Sequence, residues 1–278
     1  MIIDRIFVIN LKSRTDRLKN IKVLINQLEL DKNKIEIFEA VVGKDIPNEE
    51  INKILSISSL DTLYNQPSNH KDIRTKGGIG CYLSHYKIWE KMINQNLDNI
   101  IIIEDDIITD ADAAEFNAYI NSIPNDYDIG ILSWFKLWFD LLNNPNKNII
   151  INKYWNQYDS INVFSGAGYL VSKKGAQKLI KNAFPICYQV DAYMNILNNV
   201  DKDFVRYIAV ESLFNQKDLG TDIQNRCLKC DMTEQINKLY NKKNNIETFG
   251  NINNNKSEMN IIEIILILVL IIIFVKNI

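Results

Sequence analysis

The chain has 278 residues, of which 46% are hydrophobic and 24% charged, and a formal net charge of -2. These are the proportions of a globular fold with a sizeable core, and the near-neutral balance offers no basic field for gripping nucleic acid, which is therefore excluded as a partner. No internal repeat interrupts the sequence, so a single main domain with an appendage fits better than two small domains.

The first ten residues are apolar for only a short run and carry Asp4 and Arg5, so they read as a first strand and not as a signal peptide. Arg5-Ile-Phe-Val-Ile-Asn10 is the kind of β-branched run that forms a buried parallel strand. Leu18, Ile21, Leu24, Ile25 and Leu28 then recur at helical spacing, with Ser13 or Thr15 available as the N-cap. Ile35 to Ala40 is the next strand, which makes the opening a strand-helix-strand unit and the fold α/β. Residues 44–76 are polar, contain Pro47 and Pro67, and predict a long surface excursion with a short helix near Glu49 to Leu55. A strong helix is predicted from Gly80, with Tyr82, Trp89 and Ile93 on one stripe beside Cys81, Ile88 and Met92.

Asn99-Ile-Ile-Ile-Ile-Glu104 is a strand that ends abruptly in acids. Further strands are expected at Asp128–Leu132, Asn162–Ser165, Ala167–Val171 and Asp203–Ala209; the stretch Trp134–Phe139 is rich in aromatics, and Ser172 can cap a helix that follows it. After about Tyr240 the composition turns to Asn, Lys, Glu and Ser, which is linker chemistry. Ile261 to Val275 is almost wholly aliphatic, broken only by Glu263 and closed by Lys276. A bilayer span wants about 20 apolar residues, and with the two charges snorkelling this segment reads as a C-terminal membrane anchor; a buried terminal helix is the alternative. The expected domains are thus 1–240 for the main fold, 241–259 for a polar linker and 260–278 for a membrane helix, with the main domain facing the cytoplasm.

The four cysteines are Cys81, Cys187, Cys227 and Cys230. Cys227-Leu-Lys-Cys230 has the spacing of half a zinc site, yet the histidines, His70 and His85, lie far upstream, so ordinary reduced thiols are expected. Three motifs carry more chemistry. In Glu104-Asp105-Asp106, residues two apart in an extended segment share a side, so Glu104 and Asp106 converge while Asp105 faces away. Two converging carboxylates hold a hard cation, Mn²⁺ or Mg²⁺, although a solvated acidic turn has the same spacing. Asn10, Leu11, Arg14, Asp16 and Arg17 follow the first strand and open the first helix, where free N–H groups and guanidinium forks favour phosphate; a surface Asp-Arg pair is the plainer reading. Gly77-Gly-Ile-Gly80 leads glycine-rich backbone into a helix bearing Ser84 and His85, which lacks the Lys-Ser/Thr ending of a P-loop. A lone helical His is also often a packed core residue.

Taken in this order, the segments resemble glycosyltransferase family 25, the family of lipopolysaccharide-biosynthesis transferases and procollagen galactosyltransferases. The resemblance runs over Val8-Ile-Asn-Leu11 with Arg14, Asp16 and Arg17; Gly78 to His85 with Ile88-Trp89-Glu90; Ile103 to Ile107; and Gly166 to Ala176. Asp191 with Tyr193, Leu213 to Gln216 and Thr221 to Ile223 are weaker echoes. It implies a GT-A-type nucleotide-sugar-binding sheet flanked by helices, a UDP-galactose or UDP-glucose donor, Mn²⁺ or Mg²⁺ on Glu104 and Asp106, and donor contacts from Asn10, Leu11, Arg14, Asp16, Arg17, Gly78, Ser84, His85 and Asp105. It further implies inverting transfer to hydroxylysine of collagen-like protein or to a glycan, with Asp191 as the base. Two departures stand out: Gly168 interrupts a block that usually runs from Ala to Tyr, and a Pro expected before the Gln216 segment is missing. A metal-dependent phosphohydrolase would need only the acids, and a membrane-tethered pseudo-enzyme would need none of them intact.

Overall fold

The structure is a computed structural model that describes residues 1–64, 71–135, 148–158 and 165–217. The described residues belong to one compact unit. The linker, the aliphatic tail, Cys227 and Cys230, His70, Thr221 to Ile223 and residues 136–139 and 162–164 lie outside the described residues. Among the described residues no helix is long and apolar enough to cross a membrane.

The chain alternates strands and helices as the early periodicities predict. Strand β1 (Arg5–Asn10) leads to α1 (Thr15–Gln27), β2 (Ile35–Glu39), α2 (Asn48–Ile54), α3 (Ile57–Tyr64) and α4 (Lys76–Asn94). Then come β3 (Asn99–Glu104), β4 (Ile107–Ile108), α5 (Ala113–Ser122), β5 (Ile129–Ile131), β6 (Asn148–Ile150) and β7 (Trp155–Tyr158). The last elements are β8 (Gly168–Ser172), α6 (Lys173–Lys181), α7 (Val190–Val200), β9 (Arg206–Ala209) and β10 (Asn215–Gln216). Among the described residues the main sheet has eight strands in the order β2-β1-β3-β8-β5-β9-β7-β6. β1 pairs in parallel with β2 and β3, whereas β8 runs antiparallel to both β3 and β5.

The apolar runs of β1 and β3 are unbroken because both faces of the sheet are covered. Phe7, Ile9, Ile100 and Ile102 pack on one side with Tyr82, Trp89 and Met92 of α4, and with Leu179 and Met194. Ile6, Val8, Ile101 and Ile103 point the other way, against Ile21 and Leu24 of α1 and Phe116 and Ile120 of α5. The carboxyl ends of β1 and β3 therefore emerge side by side, with Ile9 registered against Glu104.

Three local expectations need correction. Helix α1 has Arg14 at its N-cap and no side-chain cap bond, because neither Ser13 nor Thr15 occupies that position; the Asn10 amide instead reaches the Arg14 carbonyl at 3.1 Å. Helix α4 begins at Lys76, capped by the Thr75 hydroxyl, so the glycines lie inside it. Gly80 has a packing cause, because the backbone of residues 41–43 approaches closely: a Cβ on it would stand 2.5 Å from the Val41 carbonyl oxygen. Residues 44–76 are less of a surface excursion than their polarity suggests, since Ile46, Ile51, Leu55 and Ile73 are buried.

The unusual Gly168 also has a packing cause. A Cβ there would meet the Phe214 ring at 2.5 Å, and that ring is itself buried. Gly168→Ala is expected to lower stability by about 1–3 kcal/mol through overpacking, read as a reduced urea midpoint with unchanged m-value.

Candidate functional site

The end of β3 and the loop after β1 bring the predicted acids and bases together. Asp105 is buried and accepts hydrogen bonds from Asn10 Nδ2 at 2.6 Å and from Arg17 Nη1 at 2.8 Å. Arg17 Nη1 also lies 3.3 Å from Asp106 Oδ2. The guanidinium is thus turned inward to the acids. Glu104 and Asp106 are bridged from a distant part of the chain: Gln216 Nε2 donates to Glu104 Oε2 at 3.2 Å and to Asp106 Oδ1 at 3.4 Å. Gln216 is held there by the short antiparallel pairing of β10 with β4, in which it registers against Ile107. The acids follow a turn, since β3 ends at Glu104, and it is this turn that sends Asp105 to Asn10 and leaves Asp106 beside Glu104.

Charge is concentrated here. Burial and the neighbouring Glu104 carboxylate push Asp106 up to about 6 despite Arg17. Burial likewise raises Asp105, against the lowering effect of its bonds from Arg17 and Asn10. Behind Glu104 stands helix α4: His85 is fully buried, with Nε2 3.5 Å from Glu104 Oε1, and Cys81 Sγ lies 3.8 Å from the same oxygen. His85 Nδ1 is 2.8 Å from the Tyr169 hydroxyl, which also accepts from Trp89 Nε1 at 3.1 Å. Gly166 leaves room beside this group, since a Cβ on it would approach Val190 Cγ1 at 3.3 Å, Glu104 Oε1 at 3.7 Å and His85 Cε1 at 3.8 Å. Asp191, in the first turn of α7, accepts from the Ala192 amide at 2.7 Å. Its burial and the field of Glu104 push it up to about 6, against its backbone bond and His85.

Other predicted site residues serve differently. Ser84 is buried, donates to the Gly80 carbonyl at 2.7 Å and accepts from the Val41 amide at 2.9 Å, so it ties α4 to the segment after β2. Gly78 donates to the Thr75 cap in the first turn of α4. Asp16 points outward into a two-point pair with Arg14 at 3.0 and 2.9 Å, which holds it down at about 2. Leu11 lies in the turn after β1, where its carbonyl accepts from the Arg14 amide at 2.7 Å. Gln216, Gly166, Tyr169 and Cys81 are additional members of the site. Gln216 and Gly166 fall in segments of family resemblance, but nothing in their own spacing marks a contact across the fold.

The donor set fits a hard divalent cation. Glu104 and Asp106 present oxygens that one amide nitrogen touches at once, and their mutual repulsion adds to burial in raising Asp106. A cation between them would relieve it.

The family model described as Glycosyltransferase family 25 (LPS biosynthesis protein) matches residues 3–194. Procollagen galactosyltransferase 2 of Homo sapiens is 29% identical over 201 residues, covering 70% of this chain and 30% of its own length. A Glycosyltransferase 25 family member of Drosophila melanogaster is 38% identical over 105 residues, covering 38% of this chain and 16% of its own. The chain thus spans about a third or less of the curated relatives it matches. Among solved structures, mouse Xyloside xylosyltransferase 1 aligns over 73% of this chain and 84% of its own, with a TM-score of 0.36 and 8% identity.

Proposed function

This chain belongs to glycosyltransferase family 25, and we propose that it moves a hexose, galactose or glucose, from a UDP-sugar to hydroxylysine of a collagen-like protein or to a glycan, using a GT-A-type site. The observation that carries this reading is the clustering of Glu104, Asp105 and Asp106 at the end of β3 with Asn10 and Arg17 from the β1 side and Gln216 from β10. Glu104 and Asp106 would hold Mn²⁺ or Mg²⁺, which when bound stabilises the charge of the departing diphosphate. Arg17 and Asn10 fix Asp105, so that the strand end stays rigid beside the donor. His85, locked by Tyr169, sets the position of Glu104 from behind.

Asp191 is the proposed base. An inverting transfer needs one carboxylate to take the acceptor hydroxyl proton while the new C–O bond forms opposite the breaking bond to diphosphate. A carboxyl raised to about 6 is ionised at neutral pH and still basic enough to accept a proton in the transition state. The sign is fixed: activity is present above this value and lost below it. At saturating Mn²⁺, kcat/KM is expected to fall by about tenfold per pH unit on the acid side of this ionisation. Asp191→Asn should remove that limb and lower kcat by about 10²–10⁴; an unchanged acid limb in this variant would exclude Asp191 as the titrating base.

The function itself is tested by incubating the full chain with Mn²⁺ and a panel of UDP-sugars. Sugar transfer or slow donor hydrolysis is expected, whereas release of phosphate from simple esters alone would favour a hydrolase. We further propose that residues 260–278 anchor the protein in a membrane, joined by the 241–259 linker, with residues 1–240 on the cytoplasmic side; protection of that domain from protease in sealed vesicles would contradict this topology.

A further inference from the structure

We propose that Cys81, His85 and Glu104 form a binding site for a thiophilic divalent cation such as Zn²⁺, chemically distinct from the all-oxygen pair Glu104–Asp106. Cys81 and His85 are four residues apart on α4, so they share one face of the helix, and the end of β3 brings Glu104 up to that face. Their ligand atoms all lie within 4.8 Å of one another. In a tetrahedral zinc centre, bonds of about 2.0–2.3 Å place neighbouring ligand atoms about 3.3–3.6 Å apart. The spacings found here, 3.8 Å for Sγ to Oε1 and 3.5 Å for Nε2 to Oε1, are close to that range.

An independent observation points to a ligand. His85 is 0% exposed, and its Nε2 has no hydrogen-bond partner although it faces Glu104. A buried ring nitrogen left without a partner calls for a cause. A cation accepting its lone pair supplies one. The other ring nitrogen is already provided for, since Nδ1–H would then donate to the Tyr169 oxygen, in the manner of the outer partners that orient metal-binding imidazoles. Cys81 is partly exposed and the Glu104 side chain is 14% exposed, and the missing Cβ of Gly166 leaves room for a fourth ligand such as water. On binding, the Cys81 thiol releases its proton to solvent and forms the metal–sulfur bond. Thiolate and Glu104 carboxylate together balance the two positive charges, so the centre is neutral.

Glu104 belongs to both sites. A thiophilic ion would therefore withdraw it from the donor cation and inhibit transfer; this consequence rests on the transferase reading, whereas the site does not.

The test uses the full chain carrying Cys227→Ser and Cys230→Ser, which removes the other closely spaced thiols, titrated with Co²⁺. A thiolate-to-cobalt charge-transfer absorption with tetrahedral d–d bands is expected, and adding Cys81→Ser should abolish the charge-transfer band. Affinity should fall by more than the roughly 10–100-fold that loss of an outer partner costs. Absence of the band, or its survival in Cys81→Ser, would overturn the site. The unsubstituted chain gives a second measurement that needs no variant to fold: Zn²⁺ should slow alkylation of Cys81 by about tenfold or more while leaving Cys187 unchanged, and equal rates at Cys81 with and without Zn²⁺ would equally overturn the proposal. A chain that shows the cobalt band but transfers no sugar when assayed with Mn²⁺ and no thiophilic ion overturns the transferase reading and supports the site.

Discussion

Replacing Asp106 by alanine is expected to abolish sugar transfer, by about a thousandfold or more, while leaving the fold intact. Asp106 is one of the two carboxylates bridged by Gln216, and burial beside Glu104 already makes its negative charge costly. Removing it therefore relieves repulsion in the metal-free protein, and stability should stay level or rise slightly. Transfer should collapse, because the cation loses half of its carboxylate pair and the leaving diphosphate loses its stabilisation. The decisive measurement pairs single-turnover rates with a Mn²⁺ titration of thermal stability. Wild type should be stabilised by the ion and the variant much less so. Near-normal transfer in Asp106→Ala would dismiss the metal assignment.

Arg17→Met is expected to destabilise the protein by about 3–5 kcal/mol, because it breaks a buried ion pair from one side only. The Arg17 and Asp105 side chains are 10% and 5% exposed, and Asn10 would be left holding an uncompensated carboxylate. Asp105 already sits above its ordinary range through burial, with Arg17 opposing that rise. Loss of the guanidinium must push it higher still. A carboxyl with a raised folded-state pKa keeps its stability contribution at low pH and loses it as pH rises through the folded value. The gap between wild type and variant should thus be widest at neutral pH and narrow on acidification, as measured by urea unfolding. Mn²⁺ should also narrow it, since the ion restores positive charge at the same place. A variant as stable as wild type at neutral pH would mean that Asp105 is hydrated rather than paired.

Much of the frame is legible in the sequence, for identifiable reasons. β1 and β3 announce themselves because both faces are covered and their apolar runs are unbroken. Helix α1 and the Ser172 cap of α6 follow from spacing and from a hydroxyl that accepts from the Gly175 amide at 3.0 Å. What escapes is whatever depends on distant backbone. Arg17 reads as a polar position facing phosphate, and only the fold shows it aimed at Asp105. Gly80 reads as part of a loop because its reason for being small, the approach of residues 41–43, lies on another segment. The two-residue strands β4 and β10 are too short to carry any periodicity, yet they place Gln216 on the acids. Ile73 hides in a polar stretch because an isolated apolar residue there forms no stripe.

The pairing of β4 with β10 has a temporal consequence. Gln216 follows Glu104 by 112 residues in the chain, so a ribosome adding about 5–20 residues per second takes about 6–22 s to make the second after the first. During that interval β1, β3 and the three acids can assemble, but the amide that clamps two of them does not yet exist. A nascent chain can therefore own its sheet before it owns its site, and competence to hold a donor is acquired late, as residues 213–217 come into place.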